Sequence, residues 1–147
     1  MKIALDVLGG DNAPMANIKG AINYLKDNDN ELILVGNKKI IEAQLIDAPN
    51  ISSRISIMHT NENIEMNARS SRIFKDQPNS SLVKSIKLLK DGKADAIVSA
   101  GNTGALLTTS LFLIGKIPGI KRPALAPLIP TKKSNFILCD VGANANS

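Results

Sequence analysis

Short apolar runs rich in β-branched residues alternate along the chain with segments of helical periodicity. Each run is apolar at successive positions, which is typical of parallel strands that helices cover on both faces. The predicted strands are Lys2–Val7, Glu31–Val35, Arg54–Met58, Asp95–Ser99, Ala124–Ile129 and Phe136–Val141. This alternation predicts an α/β fold, a Rossmann-like α/β/α sandwich of three layers around a mainly parallel sheet.

Apolar residues at three- and four-residue steps predict the first helix, and they are Met15, Ile18, Ile22 and Leu25. Pro14 falls in the first turn of this helix, and Asp11 or Asn12 is the predicted N-terminal cap. Further helices are expected over Lys38–Leu45 and over about Ser80–Asp91, with Gly92 ending the second.

The segment Thr103–Gly115 is apolar nearly all round. This pattern predicts a buried helix, since a helix with one solvent-facing side normally carries a polar stripe. The layer that buries it is either another part of the same domain or a second subunit.

Four predicted strands end in loops that combine Gly with Asn. These loops read "GGDN" at 9–12, "GN" at 36–37, "GNTG" at 101–104 and "GANAN" at 142–146. In an open α/β sheet such loops share the carboxyl edge, where ligands bind. The tolerance of Gly and Asn for positive φ explains any single loop. Four together favour a shared polar crevice.

The loop that begins at Ser99 is the best candidate for binding an anion. Gly101 and Gly104 allow close approach of a ligand, and Asn102 or Thr103 can cap the helix that follows. The first amides of that helix could bind a phosphate or a developing oxyanion. Neither "GNTG" nor "GGDN" matches a Walker loop or the G-x-G-x-x-G fingerprint, so nicotinamide binding has little support.

Charged residues near the strand ends add candidate chemistry. Asp6, Asp11 and Asp140 could bind a metal, act as a base or cap backbone amides, and for each alone capping is the better interpretation. Arg122 could clamp a phosphate or carboxylate, or simply face solvent.

Composition narrows the classes of function. The 147 residues carry a net charge of +5, which favours acidic partners or reflects a solvated basic surface. Only 3% are aromatic, which argues against base-stacking nucleic-acid modules. The single Cys139 and single His59 suggest neither a disulfide nor a metal site. The sequence shows no signal peptide and no apolar stretch of the roughly 18–20 residues that a membrane span needs, so we expect a cytoplasmic protein.

Five segments occur in one order: "ALDVLGGDNAP", "LVGN", "GKADAIVSAGNTGALL", "IPGIKRPALAPLIPT" and "DVGAN". Together they closely resemble the bacterial phosphate acyltransferase family of phospholipid synthesis. The resemblance covers essentially the whole chain, and the ordered set is far more specific than any single segment. Members of that family continue for a comparable length beyond "DVGAN". The resemblance therefore predicts that residues 1–147 form the N-terminal part of a single domain.

The resemblance implies transfer of a fatty acyl group from acyl carrier protein to inorganic phosphate. The acyl phosphate product then feeds acylation of glycerol 3-phosphate. It further implies a fold related to isocitrate and isopropylmalate dehydrogenases, a homodimer, no organic cofactor and no metal. Loose attachment to the inner face of the cell membrane, and a glycerol-3-phosphate acyltransferase as a partner, belong to the same expectation.

Read together, the crevice and the resemblance predict the site. The expected catalytic residues are Asp6, Asn102 and Asp140. The expected substrate- and phosphate-binding residues are Gly9, Gly10, Asp11, Asn12, Ser99, Gly101, Thr103, Gly104, Arg122, Gly142 and Asn144. Two alternatives stay open: a phosphotransacetylase-like enzyme that uses coenzyme A thioesters, and a non-catalytic anion-binding domain.

Overall fold

A computed structural model describes residues 1–68, 73–121, 123 and 125–138 of the protein. The chain divides into two compact units, Met1–Ile114 and Gly115–Ser147. Among the described residues, no helix combines the length and the apolar character that crossing a bilayer requires.

The first unit is built on a parallel four-stranded sheet with the strand order β3-β2-β1-β4. Its elements are β1 Lys2–Asp6, α1 Met15–Lys26, β2 Glu31–Gly36, α2 Lys38–Leu45, α3 Pro49–Ser52, β3 Ile55–His59, α4 Ile73–Asp76, α5 Ser81–Lys90, β4 Ala96–Ser99 and α6 Thr103–Leu113. The four strands confirm the predicted ones to within one residue at each end, and the α/β class with a mainly parallel sheet is confirmed.

Alternate residues of the strands pack into separate apolar clusters on the two faces of the sheet. Leu32 and Leu34 of β2 join a cluster with Ile18 and Leu25 of α1, which also includes residues of α2 and α3. Ile33, from the same strand, packs in a cluster with Leu88 of α5. Helices therefore cover both faces of the sheet, as the continuous apolar runs predicted.

Helix α5 ends as the sequence predicted. Gly92 adopts a φ of 67°, and its amide donates to the carbonyl of Leu89 (3.1 Å). The amide of Lys93 donates to the carbonyl of Leu88 (2.9 Å). These two bonds form a Schellman motif, in which the glycine takes the left-handed position.

The start of α1 differs from the prediction that Asp11 or Asn12 caps it with a side chain. The residue before the helix is Pro14, and no side chain caps the helix. The carbonyl of Asn12 instead accepts from the amide of Ala16 (3.1 Å). The preceding turn runs directly into the helix. Its backbone carbonyls therefore accept hydrogen bonds from the first amides of the helix, a role that was expected of a capping side chain.

The first unit buries helix α6 only in part, and its burial by a second subunit stays a prediction. It ends at Leu113, and its fully buried residues are Ala105 and Thr109. The side chain of Phe112 is 61% exposed although its ring stacks on Phe74, with 4.9 Å between the ring centroids. The helix packs on α5 and α4, and no described layer of the first unit covers its opposite side.

The second unit contains the short strands β5 Leu128–Pro130 and β6 Asn135–Ile137, which pair antiparallel. The prediction that these runs are parallel strands was therefore wrong. Residues 131–134 join them, closed by a bond from the Thr131 amide to the Ser134 carbonyl (3.0 Å). Such a connection suits a hairpin, whereas a parallel crossover needs about a dozen residues or more.

Candidate functional site

The ends of β1 and β4 lie side by side at the carboxyl edge of the first unit's sheet. Asp6 and Ser99 are paired in register across these two neighbouring strands. From β1 the chain runs outward to β2 and β3, and it then returns to place β4 on the other side of β1. Such a reversal of strand order opens a crevice between the flanking loops, and ligands of open α/β sheets bind there.

A buried carboxylate links the two loops of the crevice. Asp6 is 2% exposed, and its Oδ2 accepts a hydrogen bond from Ser99 Oγ (2.7 Å). Ser99 Oγ in turn accepts from the amide of Gly101 (3.1 Å). The chain of hydrogen bonds therefore runs from the loop after β4, through Ser99, to the end of β1.

The second oxygen of Asp6 has no partner among the described residues. Asp6 Oδ1 is buried and accepts no hydrogen bond there. A buried acceptor left unpaired costs about 1–3 kcal/mol, and more when it carries charge. An unpaired buried oxygen of this kind is unusual, and it makes the end of β1 a candidate functional position.

The glycines of the two loops are required by close contact. A Cβ built on Gly9 would lie 2.5 Å from Asp6 Oδ2 and 3.0 Å from the amide nitrogen of Gly101. A Cβ on Gly101 would lie 3.2 Å from the Cα of Gly9. Gly10 has a φ of 102°, and a Cβ there would meet the carbonyl of Ala100 at 3.0 Å. The loops after β1 and β4 thus touch through their backbones.

Asn17 is a positioning residue that sequence reasoning missed. Its side-chain amide donates to the carbonyls of Val7 (2.9 Å) and Gly9 (2.8 Å), with a longer bond to that of Asp6 (3.4 Å). From the first turn of α1 it therefore holds the backbone of residues 6–9, where the "GGDN" loop begins. The only sequence signal was a polar residue between the apolar positions Met15 and Ile18.

Asn102 caps α6, as predicted, and also fastens a distant loop. Its Oδ1 accepts from the amide of Ala105 (2.9 Å). Its Nδ2 donates to the carbonyls of Met66 (2.8 Å) and Ala68 (3.0 Å), with a longer contact to that of Glu65 (3.4 Å). The side chain is thus engaged on both sides, and its predicted catalytic role stays a prediction.

The remaining predicted residues of these two loops lie at the rim. Thr103 and Gly104 are exposed in the first turn of α6, where the backbone amides precede the first helical hydrogen bond. Asp11 and Asn12 are exposed at the opposite rim. Residues 6–12 and 99–104 carry two carboxylates, those of Asp6 and Asp11, and neither Lys nor Arg. An anion bound between these two loops would therefore be held by backbone amides.

The loop after β2 forms a separate network. Asn37 caps α2 by accepting from the amide of Ile40 (3.1 Å), and its Nδ2 donates to Asn61 Oδ1 (2.7 Å). His59 Nδ1 accepts from the amide of Lys38 (3.1 Å). Among the described loops, the crevice thus joins those at 9–12 and 101–104, and the loop at 36–37 belongs with the end of β3.

Several predicted site residues lie outside the described residues, namely Arg122, Asp140, Gly142 and Asn144, and so does Cys139. The fourth Gly-Asn loop falls in that part of the chain. Across the ranges that the structure does describe, no group of three or more His, Cys, Asp or Glu side chains could hold a metal ion.

Comparison with known proteins defines the class to which this fold and crevice belong. The family model described as "Fatty acid synthesis protein" matches residues 1–147, and the chain belongs to that family. The first unit, with its crevice between β1 and β4, is thus part of a member of this fatty acid synthesis family.

The relatives give this class a more particular name. The chain is 46% identical over 147 residues to the phosphate acyltransferase of Dictyoglomus turgidum, covering 99% of this chain and 44% of that protein. It is 43% identical over 147 residues to the phosphate acyltransferase of Clostridioides difficile, covering 99% of this chain and 43% of that one. The chain therefore spans less than half the length of these relatives.

Proposed function

We propose that this chain forms one wall of a phosphate acyltransferase site, in which an acyl group passes from acyl carrier protein to inorganic phosphate. The observation that carries the proposal is the contact between the loops after β1 and β4, held by Asp6, Ser99 and Gly101. It occurs in a chain 46% identical to an enzyme named phosphate acyltransferase.

The reaction needs a cradle for phosphate and for the charge that develops on the thioester oxygen. A phosphate oxygen attacks the thioester carbon, forming a carbon–oxygen bond, and the carbon–sulfur bond then breaks. The sulfur leaves as a thiolate and takes up a proton, which gives acyl phosphate and free carrier protein. The backbone amides of Thr103 and Gly104, two exposed residues at the start of α6, suit this charge because the positive end of the helix dipole lies there.

Asp6 is best suited to positioning. It is 2% exposed and is bound to Ser99, so it acts by holding the loop of Gly101 against the loop of Gly9. Asn102 holds α6 and residues 65–68 in one arrangement. Positioning of this kind matters for rate, because misplacing reacting groups by about 1 Å can cost a hundredfold.

The partners follow from the same proposal. Acyl carrier protein is an acidic acyl donor, and the net charge of +5 favours its approach. The product would supply an acyltransferase that acts on glycerol 3-phosphate. A homodimer in the cytoplasm, loosely attached to the inner membrane face, is part of the proposal and can be tested by its mass and its sedimentation with vesicles.

The test uses the 147 residues joined, as one polypeptide, to the remaining length of the Dictyoglomus turgidum relative. We expect phosphate-dependent release of free carrier protein from its acyl thioester. Release from acyl-coenzyme A alone would replace the proposal with a phosphotransacetylase-like function. Binding of phosphate with no release from either donor would indicate an anion-binding domain.

A matched pair of serine variants tests the crevice within that assay. Ser99→Ala removes the hydroxyl between Asp6 and Gly101, and we expect the KM for phosphate to rise about tenfold, which corresponds to about 1.4 kcal/mol. Ser56→Ala is the control, since its hydroxyl makes only a long bond to the carbonyl of Leu32 (3.4 Å) in β2. An equal KM for phosphate in both variants would mean that the Ser99 hydroxyl does not contribute to the site.

A further inference from the structure

An apolar groove lies on the first unit beside α1, on the face of the sheet that α1 covers. It has a volume of about 370 Å³. Its floor includes Ile3 and Leu5 of β1 and Val98 of β4, and its wall includes Ala16, Gly20 and Tyr24 of α1. Val98 is 52% exposed, which is unusual for an apolar residue of a strand in a parallel sheet.

The order of the elements explains why this groove is open. Helices α1, α2 and α3 contribute to the cluster that covers β1, β2 and β3 on one face. Helices α5 and α6 pack on the opposite face, where Ile97 of β4 joins their clusters. Within the described part of the first unit, no helix covers β4 on the groove side. β4 is also the edge strand, since β1 is its only partner there.

The wall of the groove is shaped to accept a helix. Ala16, Gly20 and Tyr24 recur at four-residue steps and so form one stripe along α1. A Cβ built on Gly20 would meet no atom within 4 Å. The two small residues of this stripe, Ala16 and Gly20, let a second helix approach to the usual distance of about 8–10 Å between helix axes.

We propose that this groove docks an amphipathic helix from the part of the phosphate acyltransferase length that these 147 residues do not span. That part is large, because the chain covers 44% of the Dictyoglomus turgidum relative. In α/β folds the exposed face of a parallel sheet is covered by helices, and open apolar patches mark such contacts. The proposal rests on the family relationship and on the groove, so it is independent of which acyl donor the protein uses.

Docking there would also reach the crevice. Asn17 lines the groove, and its amide holds the carbonyls of Val7 and Gly9. A helix packed along α1 would therefore restrict the residue that positions the "GGDN" loop. Through Asn17, the docked helix would contact the residue that links the groove to the candidate site.

The test measures how fast a single thiol in the groove is alkylated. Val98→Cys is prepared with every other cysteine replaced by Ser, in the 147-residue chain and in the joined polypeptide. We expect iodoacetamide to react at least tenfold more slowly in the joined polypeptide. Lys39→Cys, on the exposed side of α2, is the matched control and should react equally in both.

Adding Gly20→Leu to the joined Val98→Cys protein should restore the fast alkylation by iodoacetamide. The leucine side chain would occupy the groove and so displace the docked helix. The same pair of cysteines at the aligned positions of the intact Dictyoglomus turgidum enzyme gives a second measurement that does not depend on the joined polypeptide folding. Equal reactivity of Val98→Cys in all forms would overturn the proposal.

Two other results would overturn it in favour of another occupant. Protection of the 147-residue chain that grows with its own concentration would mean that a second copy fills the groove. Protection of that chain by laurate, with none in the joined polypeptide, would mean that the groove takes a fatty acyl chain.

Discussion

The carboxyl edge of the sheet carries two pairs of loops that look alike in sequence and differ in structure. After β1 and β4, the backbones of Gly9 and Gly101 touch over the buried carboxylate of Asp6. After β2 and β3, Asn37 and His59 bind each other's loops through ordinary caps and side-chain bonds. Both pairs contain Gly and Asn, so local sequence does not distinguish them.

The difference lies in where the connections run. β2 and β3 follow each other on one side of β1, and Asn37 can bond directly with Asn61 after β3. β1 and β4 meet where the order reverses, and the connections from their ends depart to opposite faces of the sheet. The loops that follow β1 and β4 therefore flank this point of reversal, and the hydrogen bonds of Asp6 and Ser99 hold them together.

The largest expected effect comes from adding one methyl group to each loop pair. Gly9→Ala would place a Cβ 2.5 Å from Asp6 Oδ2, which the bond to Ser99 prevents from moving freely. We expect a loss of about 2–3 kcal/mol in the free energy of unfolding. The matched variant Gly36→Ala meets Val7 Cβ at 3.0 Å, and the expected loss there is about 1 kcal/mol.

Urea denaturation measures both variants, read from the midpoints at unchanged slope. Ala in place of Gly20, where no atom lies within 4 Å, controls for the substitution itself and should not destabilise the protein. A larger loss in the free energy of unfolding for Gly36→Ala than for Gly9→Ala would mean that the tighter contact does not lie in the crevice.

An intermediate effect is expected from replacing the two capping asparagines with aspartate. Asn102→Asp keeps the acceptor for Ala105 but sets a carboxylate against the carbonyls of Met66 and Ala68. We expect a loss of about 1–2 kcal/mol. Asn37→Asp keeps its cap and loses only an exposed bond to Asn61, so its stability should change by less than about 0.5 kcal/mol.

Hydrogen exchange localises the effect of Asn102→Asp. The amide of Ala68 donates to the carbonyl of Glu65 (3.1 Å). Its exchange rate should rise in Asn102→Asp and stay unchanged in Asn37→Asp. Equal exchange in both would mean that residues 65–68 do not depend on Asn102.

The smallest effect is expected at the opposite edge, where β1 and β2 begin. Lys2 Nζ lies 2.9 Å from Glu31 Oε2, and this hydrogen bond and charge lower the pKa of Glu31. A lowered pKa in the folded state stabilises the protein at pH values above the ordinary glutamate pKa. That contribution disappears as the pH falls through the lowered value.

Lys2→Gln should therefore raise the pKa of Glu31 toward its ordinary value and weaken the acid dependence of stability. A carbon NMR titration of the Glu31 carboxyl measures the shift directly. Both residues are exposed, so the crevice should be unaffected. An unchanged pKa would mean that the pair does not persist in solution.

Much of the first unit could be predicted because its signals are local. The apolar runs predicted four strands, and the periodicity of residues 38–45 predicted α2 with its observed bounds. The hairpin in the second unit was missed because apolar runs of three to six residues do not reveal strand direction. The apolar composition of α6 did not show which layer would cover it, and within the first unit Phe112 is exposed.

The candidate site could be predicted only in part. Gly9, Ser99 and Gly101 were expected at one crevice, and the structure brings them together through backbone contact and hydrogen bonds. Asn17 was not expected, because its role depends on three carbonyls that lie eight to eleven residues away in the chain. Their convergence is a property of the folded β1–α1 connection.

The class of fold and the family can be predicted from the amino-acid sequence alone, because apolar periodicity and an ordered set of motifs are local features of the chain. Which of the described Gly-Asn loops meet depends instead on the tertiary structure. The tertiary structure also decided that Asp6 is buried against Ser99 and that β4 leaves an apolar groove open. The physical reason is that these contacts join residues up to 93 positions apart, whose distance depends on the order of strands in the sheet.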